Sequence, residues 1–344
     1  MTAPVREAAL QAALPSPNFT HLRRLTDAGG LYEHADGSTP RPEHGYCLDD
    51  VARGLVVVCR EPGRAVDDLR EQYLSFVLAA QDGEGQFHNR RHTDLSWPDE
   101  PSVEDCWGRA LWGLGTAVAH TPELRVRALE AFERGARLRS PHRRAMAFAA
   151  LGAAEVLAVL PSHDVAKRLI TAAAAAIGRP TLDKAWPWPE PRLSYANAAL
   201  ADALLAAGVA LDAPGLVADG LGLLSWLLDT QTLDGHLSVV PVGGRGPGGT
   251  GPGFDQQPIE VAALAAACAR AHLIARRQRW ATGVELAAAW FDGANDSDVS
   301  LRGPEGGGYD GLECAGRNEN QGAESTLALL STLQQARYTA ACAA

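Results

Sequence analysis

Six times along the chain a loop rich in Gly, Pro, aromatic and polar residues gives way to a helix-length run of small and aliphatic ones. The runs are HGYCLDDVARGLVVV from His44, VEDCWGRALWGLGTA from Val103 and HRRAMAFAALGAAEVL from His142, then LSYANAALADALLAA from Leu193, QQPIEVAALAAACARA from Gln256 and NQGAESTLALLSTLQ from Asn320. Beyond its first turn each run is apolar nearly all round, the pattern of a helix buried on every side. Between them, residues 65–81, 122–137, 164–177, 214–229 and 280–291 repeat apolar positions every three to four residues and keep an ordinary charged face. These predict outer helices. Residues 4–14 supply a sixth, placed beside the last inner helix to close a ring.

Corresponding points of the inner runs lie about 40–65 residues apart, the range of helical-pair repeats. An open solenoid is the competing arrangement, but solenoids carry a more regular repeat than this. The pattern therefore predicts an all-α fold: an (α/α)6 toroid of six inner and six outer helices, with long loops or short β-hairpins at one mouth. A chain of 344 residues would ordinarily divide into two domains. The repeat instead predicts a single domain over residues 1–344. Three loops are long: residues 82–101, with DG and EG turn signals of a hairpin or lid, residues 230–255 with the stretch GGRGPGGTGPG, and residues 295–320 with GPEGGGYDGLE. Loops of that length in a compact fold are usually functional or disordered, and each of these runs straight into an inner helix.

Composition agrees, with alanine-rich stretches at 172–176 and 287–289 favouring helix. The formal charge of −10 and the lack of basic runs other than residues 139–144 argue against nucleic acid or an anionic membrane as partner. No bilayer-spanning apolar run and no secretion signal are read from the sequence. The six cysteines have no metal-ligand spacing and read as reduced, mostly buried thiols of a cytoplasmic protein. No cofactor is expected. Metal is not expected either, because the histidines are scattered without an HxH or HExxH pattern. A P-loop, a Rossmann glycine pattern and a GxSxG elbow are also missing from the sequence.

In such a ring the inner helices run parallel, so their N-termini gather around one mouth with unpaired N–H groups and the positive dipole ends. Polar residues concentrate there: Asp49 and Asp50, Glu104 and Asp105, Arg143 and Arg144, Tyr195 and Asn197. The fifth and sixth helices add Asp255, Gln256, Gln257 and Glu260, then Asn318, Asn320, Gln321 and Glu324. Acids at helix starts also serve as ordinary caps. The i,i+4 spacing of Asp49–Arg53 and Asp105–Arg109 predicts intrahelical ion pairs, leaving Asp50 and Glu104 without a local partner. Glu260 and Glu324 each follow an amide, Gln256 and Asn320, by one turn inside an apolar helix. Burial there raises a carboxyl pKa and suits a general acid.

The aromatics extend the picture. AWPWPEPRLSYAN sets Trp186, Trp188 and Tyr195 around Glu190 and Arg192, while Tyr46, Trp97, Trp107 and Tyr309 fall at other inner-helix starts. Flat rings beside carboxylates and amides match a pyranose, which has a C–H face and a rim of hydroxyls. The alternative is that the WPWPEP loop is a rigid cover. Arg139, Arg143 and Arg144 either pair with neighbouring acids or hold an anionic substrate group.

Six inner helices with acids at one mouth resemble the six-hairpin (α/α)6 superfamily of glycoside hydrolases and sugar epimerases. The phrases EHGYCLDDVARGL, EDCWGRALWGLG, FDQQPIEVAALA and NQGAESTLALLSTLQ also resemble a bacterial group that often carries a glycosyltransferase label, although no nucleotide-sugar-binding α/β domain is read here. The superfamily resemblance implies acid-dependent attack at an anomeric carbon. The expectation is a glycoside hydrolase acting on an oligosaccharide, inverting, with its acid and base among Asp50, Glu104, Glu260 and Glu324. Trp107, Trp188, Tyr195, Asn197, Gln256, Gln257 and Gln321 are expected to grip the sugar, with His44, Tyr46, Asp49, Asp105, Arg143, Trp186, Glu190, Arg192, Asp255, Tyr309, Asp310 and Asn320 around them. Three alternatives stand beside it: a phosphorylase or transglycosylase, an epimerase or isomerase using His44, His142 or His236, and a non-catalytic carbohydrate-binding protein.

Overall fold

A computed structural model describes residues 16–343. The predicted sixth outer helix, at residues 4–14, lies outside the described residues. After a short helix, α1 (Thr20–Arg24), inner and outer helices alternate. The inner set is α2 (Leu48–Arg60), α4 (Asp105–His120), α6 (Arg143–Val159), α8 (Ala198–Ala210), α10 (Pro258–Ala275) and α12 (Ala323–Ala343). The outer set is α3 (Asp67–Ala80), α5 (Arg125–Gly135), α7 (Asp164–Ile177), α9 (Pro214–Thr230) and α11 (Gln278–Phe291).

Burial follows the two sequence patterns. In α8 every residue from Ala198 to Gly208 is buried, whereas α5 buries only Ala128, Ala131, Phe132 and Gly135 and leaves its charged face to solvent. Each inner helix packs on the next, α2 on α4 and so on to α12, and α12 packs back on α2. The ring is closed, which is the predicted (α/α)6 toroid rather than the open solenoid. Helix α10 is 18 residues long and apolar enough on average to cross a membrane, a length the sequence reading passed over. Here it is an inner helix, covered by neighbours on most of its surface.

The tightest seam joins α4 and α6. A Cβ at Gly108 would collide with the Ala145 carbonyl oxygen, one at Gly115 with that of Gly152, and one at Gly152 with that of Leu111. Glycine at these positions lets the two backbones touch.

Antiparallel two-stranded pieces decorate the helix ring, among them Thr26–Asp27 with Gly30–Leu31, Thr232–Leu233 with His236–Leu237, and Gly311–Glu313 with Gly316–Asn318. The segment 82–101 differs from the expected self-contained hairpin. Its Arg90–Arg91 strand pairs with Tyr46–Cys47, directly before α2, so the loop is stitched to the first inner helix.

Candidate functional site

The mouth of the ring holds a polar basin built on Arg53. Its Nη1 donates to Asp50 Oδ1 at 2.5 Å, and its Nη2 lies 2.7 Å from Glu324 Oε2. One acid comes from the first inner helix and the other from the last, so ring closure is what brings them together. Asp50 is 3% exposed. Burial pushes its pKa up to about 7, Arg53 opposes the shift, and the neighbouring Glu324, Glu33 and Asp49 add to it. Glu324 is the more open of the two, with 37% of its side chain accessible.

Asp49, Gln257, His34, Glu33, Arg90 and Asp310 complete the basin. Asn89, from the docked loop, donates to Asp49 Oδ2 at 3.2 Å and accepts the Asp49 N–H at 3.2 Å, which caps α2. Arg90 pairs with Glu33. Glu33, Cys47 and Asp50 bring three ligand-type atoms within 4.8 Å of one another, but both carboxylates already face a guanidinium.

Below the basin Arg109 lies over the Phe148 ring, 4.0 Å from its centroid. Its Nε is 3.3 Å from Asp49 Oδ1, yet the two are too poorly aligned to hydrogen-bond, and both atoms are buried without a partner. Burial, with the nearby Arg53 charge, lowers the Arg109 pKa. Trp112 and Phe148 stack with centroids 6.1 Å apart and planes within 3°.

A separate depression beside the basin is lined by Glu104, Asp105, His142, Arg143, Arg144, Glu190 and Tyr195. Arg144 binds Glu190 through both terminal nitrogens, at 2.8 and 2.9 Å, and donates to Asn197 Oδ1 at 3.0 Å. Asn197 Nδ2 in turn donates to Glu260 Oε2 at 2.8 Å. The Tyr195 hydroxyl donates to Asp105 at 2.6 Å.

The geometry corrects several expectations. Arg53 takes Asp50, three residues back on its own helix, rather than Asp49, so Asp50 does have a local partner. Arg53 also reaches Glu324 on α12, and Arg109 faces Asp49 on α2 rather than Asp105, because packed inner helices bring acids of neighbouring helices within reach of a long guanidinium. Of the four candidate catalytic acids, Asp50 and Glu324 converge. Glu104 stands exposed at the start of α4 in the side depression, and Glu260 is held in the wall between α8 and α10. Burial pushes the Glu260 pKa up to about 7 as well.

Several predicted sugar contacts belong to the framework instead. Trp107 is fully buried and donates to the Gly135 carbonyl, and Trp188 is fully buried against Trp226. Tyr46 is buried and donates to Asp27, and Tyr309 is covered by Arg317 at 3.6 Å. Gln256 is fully buried and donates to Asp296 at 2.5 Å, while the Gln321 carbonyl lies 2.8 Å from His21 Nε2. Trp186 donates to the Glu190 carbonyl and packs on Trp226, as a rigid cover would. Arg143 donates to the Pro189 carbonyl and Arg192 to that of Gly243. Asn320 accepts from the Gly37 N–H. Asp310, by contrast, does line the basin, where it also caps the start of α12 through the Gly322 N–H and the Ser325 hydroxyl. Asp255 is exposed, and His44 is exposed with its ring edge-on to His34. Sequence reasoning missed Glu33, His34, Arg90, Trp112 and Phe148. The first three sit on loops without periodicity, and the last two read as ordinary apolar helix positions.

No protein-family model matches the chain, and no curated protein matches it. Solved structures do share its fold. A sugar epimerase from a ruminal bacterium superposes with a TM-score of 0.71 at 13% identity, covering 96% of this chain and 99% of that one. The cellobiose 2-epimerase from Spirochaeta thermophila gives 0.71 at 11% identity, covering 99% and 98%. The GH76 alpha-mannanase from Bacteroides thetaiotaomicron gives 0.63 at 12% identity, covering 100% and 98%. The chain has the (α/α)6 toroid that these carbohydrate-processing enzymes share.

Proposed function

We propose that the chain is a carbohydrate-active enzyme that hydrolyses a glycosidic bond at the mouth of the ring, with Asp50 as general acid and Glu324 as general base. The observation that carries this reading is the Arg53 bridge, which sets two carboxyl groups from opposite ends of the chain on either side of one guanidinium. Asp50, buried with a pKa of about 7, is protonated in a substantial share of molecules at neutral pH and gives that proton to the leaving oxygen. As the bond from the anomeric carbon breaks, its electron pair stays on that oxygen. Glu324, open to the basin, takes a proton from the water that forms the new bond to the carbon. Water attacking from the face opposite the leaving oxygen gives inversion at that carbon. Asp49, Gln257 and His34 face the same basin and hold the sugar's hydroxyls.

The test is turnover of defined glycosides by the purified protein, with and without phosphate, followed by mass and by the anomer formed. Asp50→Asn and Glu324→Gln should each lower kcat/KM by about 10²–10⁴-fold while the fold melts normally. Full activity in both variants ends this assignment, and turnover that requires phosphate replaces hydrolysis with phosphorolysis.

Epimerisation is the second reading, favoured by the fold shared with two sugar epimerases. It needs groups that remove and return a proton at carbon. His34 is the basin's imidazole, whereas His236 is bound to Asp296 at 3.0 Å and His142 lies in the side depression. Solvent deuterium entering a free sugar without bond cleavage would favour this chemistry over hydrolysis.

A further inference from the structure

Polarity changes abruptly below the mouth. Under the charged collar of Arg53, Arg109 and Glu324 lies a chamber, partly open to solvent, walled almost wholly by apolar side chains. Phe148, Ala196, Ala199 and Ile259 form a buried apolar cluster separate from the main core, with Trp112 and Ala263 packed against it. All six line the chamber. Apolar side chains that served stability alone would close on one another, as protein interiors do. These enclose space.

A second sugar ring fits this chamber poorly. Each hydroxyl stranded against such walls costs roughly 1–3 kcal/mol. The polar atoms on offer are few: the unpartnered Trp112 Nε1, Ser331, and Asp202, which is already bound to Arg270. The unpartnered Nε of Arg109, a residue 3% exposed, sits at the collar, where the polar and apolar zones meet.

We infer that the substrate is a sugar joined to an apolar aglycone, with the sugar in the charged basin and a hydrocarbon or aromatic group seated against Trp112, Phe148 and Ile259. The inference rests on the glycosidase reading of the mouth and replaces the oligosaccharide expected from sequence. Hydrolysis then releases the free sugar upward and an alcohol or phenol from the chamber.

Binding of 1-alkanols from butanol to octanol, followed by calorimetry, tests the chamber without requiring turnover. Each methylene seated should tighten binding about fourfold until the chamber is full. Ala263→Phe should abolish that trend, and Ile259→Ala should move the best fit to a longer alkanol. The second substitution keeps the test decisive if the first fails to fold. No alkanol binding, or a trend untouched by both substitutions, overturns the proposal. In parallel, alkyl and aryl glycosides should be cleaved in preference to unsubstituted oligosaccharides of the same sugar, and the reverse preference also overturns it. Alkanol binding that follows the chain-length trend, with no glycoside cleaved, overturns the hydrolase reading of the mouth and upholds the apolar chamber.

Discussion

Asp50 and Glu260 are both pushed up to about 7 by burial, but their surroundings differ. Asp50 opens onto the basin beside Arg53, while Glu260 has one oxygen on Asn197 and the other buried without a partner. Between the ordinary values of 3.8 and 4.5 and about 7, the folded state holds protons that the unfolded chain has released. Each group's contribution to stability therefore falls as pH rises through that window and is level above it. His21, lowered by burial from 6.5, works in the opposite sense, because the unfolded chain gains a proton there as pH falls. A difference between variants isolates Asp50. Asp50→Asn should gain stability relative to the wild type as pH rises from about 5.5 to about 8, by about 1 kcal/mol or more in urea denaturation. A difference that is flat with pH would mean that Asp50 is already ionised. The acids themselves were legible as unusual, since they interrupt apolar runs. Their partners were not, because i,i+4 spacing passes over the i,i+3 pair of Asp50 with Arg53 and sees nothing of the contacts between helices that join Arg53 to Glu324 and Arg109 to Asp49.

Helix periodicity made the inner and outer elements readable, down to the wholly apolar α8 and the one-sided α5. What it could not supply was which helices touch. The glycines of WGRALWGLG and ALGAAEV look alike on paper, yet Gly115 and Gly152 are the points where α4 and α6 meet backbone to backbone. Gly152→Ala drives a methyl into the Leu111 carbonyl and should cost about 1–3 kcal/mol or more. Gly222→Ala on outer helix α9, where nothing lies within 4 Å, should instead add roughly 0.5–1 kcal/mol through helix propensity. Chemical denaturation of the two single variants checks both signs, and equal effects would contradict the seam. The same limit explains the docked loop. Nothing in residues 82–101 alternates strongly enough to announce that Arg90–Arg91 would pair with Tyr46–Cys47, so Asn89 and Arg90 were not read as mouth residues.

At the scale of the whole molecule, six repeats were enough to predict a ring, but the site depends on how that ring closes. Glu324 reaches Arg53 only because α12 returns to α2. At the other end of the same helix pair Glu61 ties the closure. Its carboxylate accepts from Arg337 at 2.9 and 3.0 Å and from Gln334 Nε2 at 2.8 Å, and Gln334 also donates to the Val57 carbonyl at 3.0 Å. Glu61→Ala leaves both partners short of an acceptor and should lower stability by about 1–3 kcal/mol. If closure sets the relation between Asp50 and Glu324, the same variant should lose activity measured well below its melting temperature. Leu169→Ala on outer helix α7 empties a fully buried site and should cost about 2–5 kcal/mol, but it disturbs no contact between α12 and α2. The expected outcome is a fall in kcat/KM for Glu61→Ala and near-normal kcat/KM for Leu169→Ala, despite the greater loss of stability in the latter. Activity that follows stability alone across the two variants would show that the closure holds the ring together without tuning its mouth.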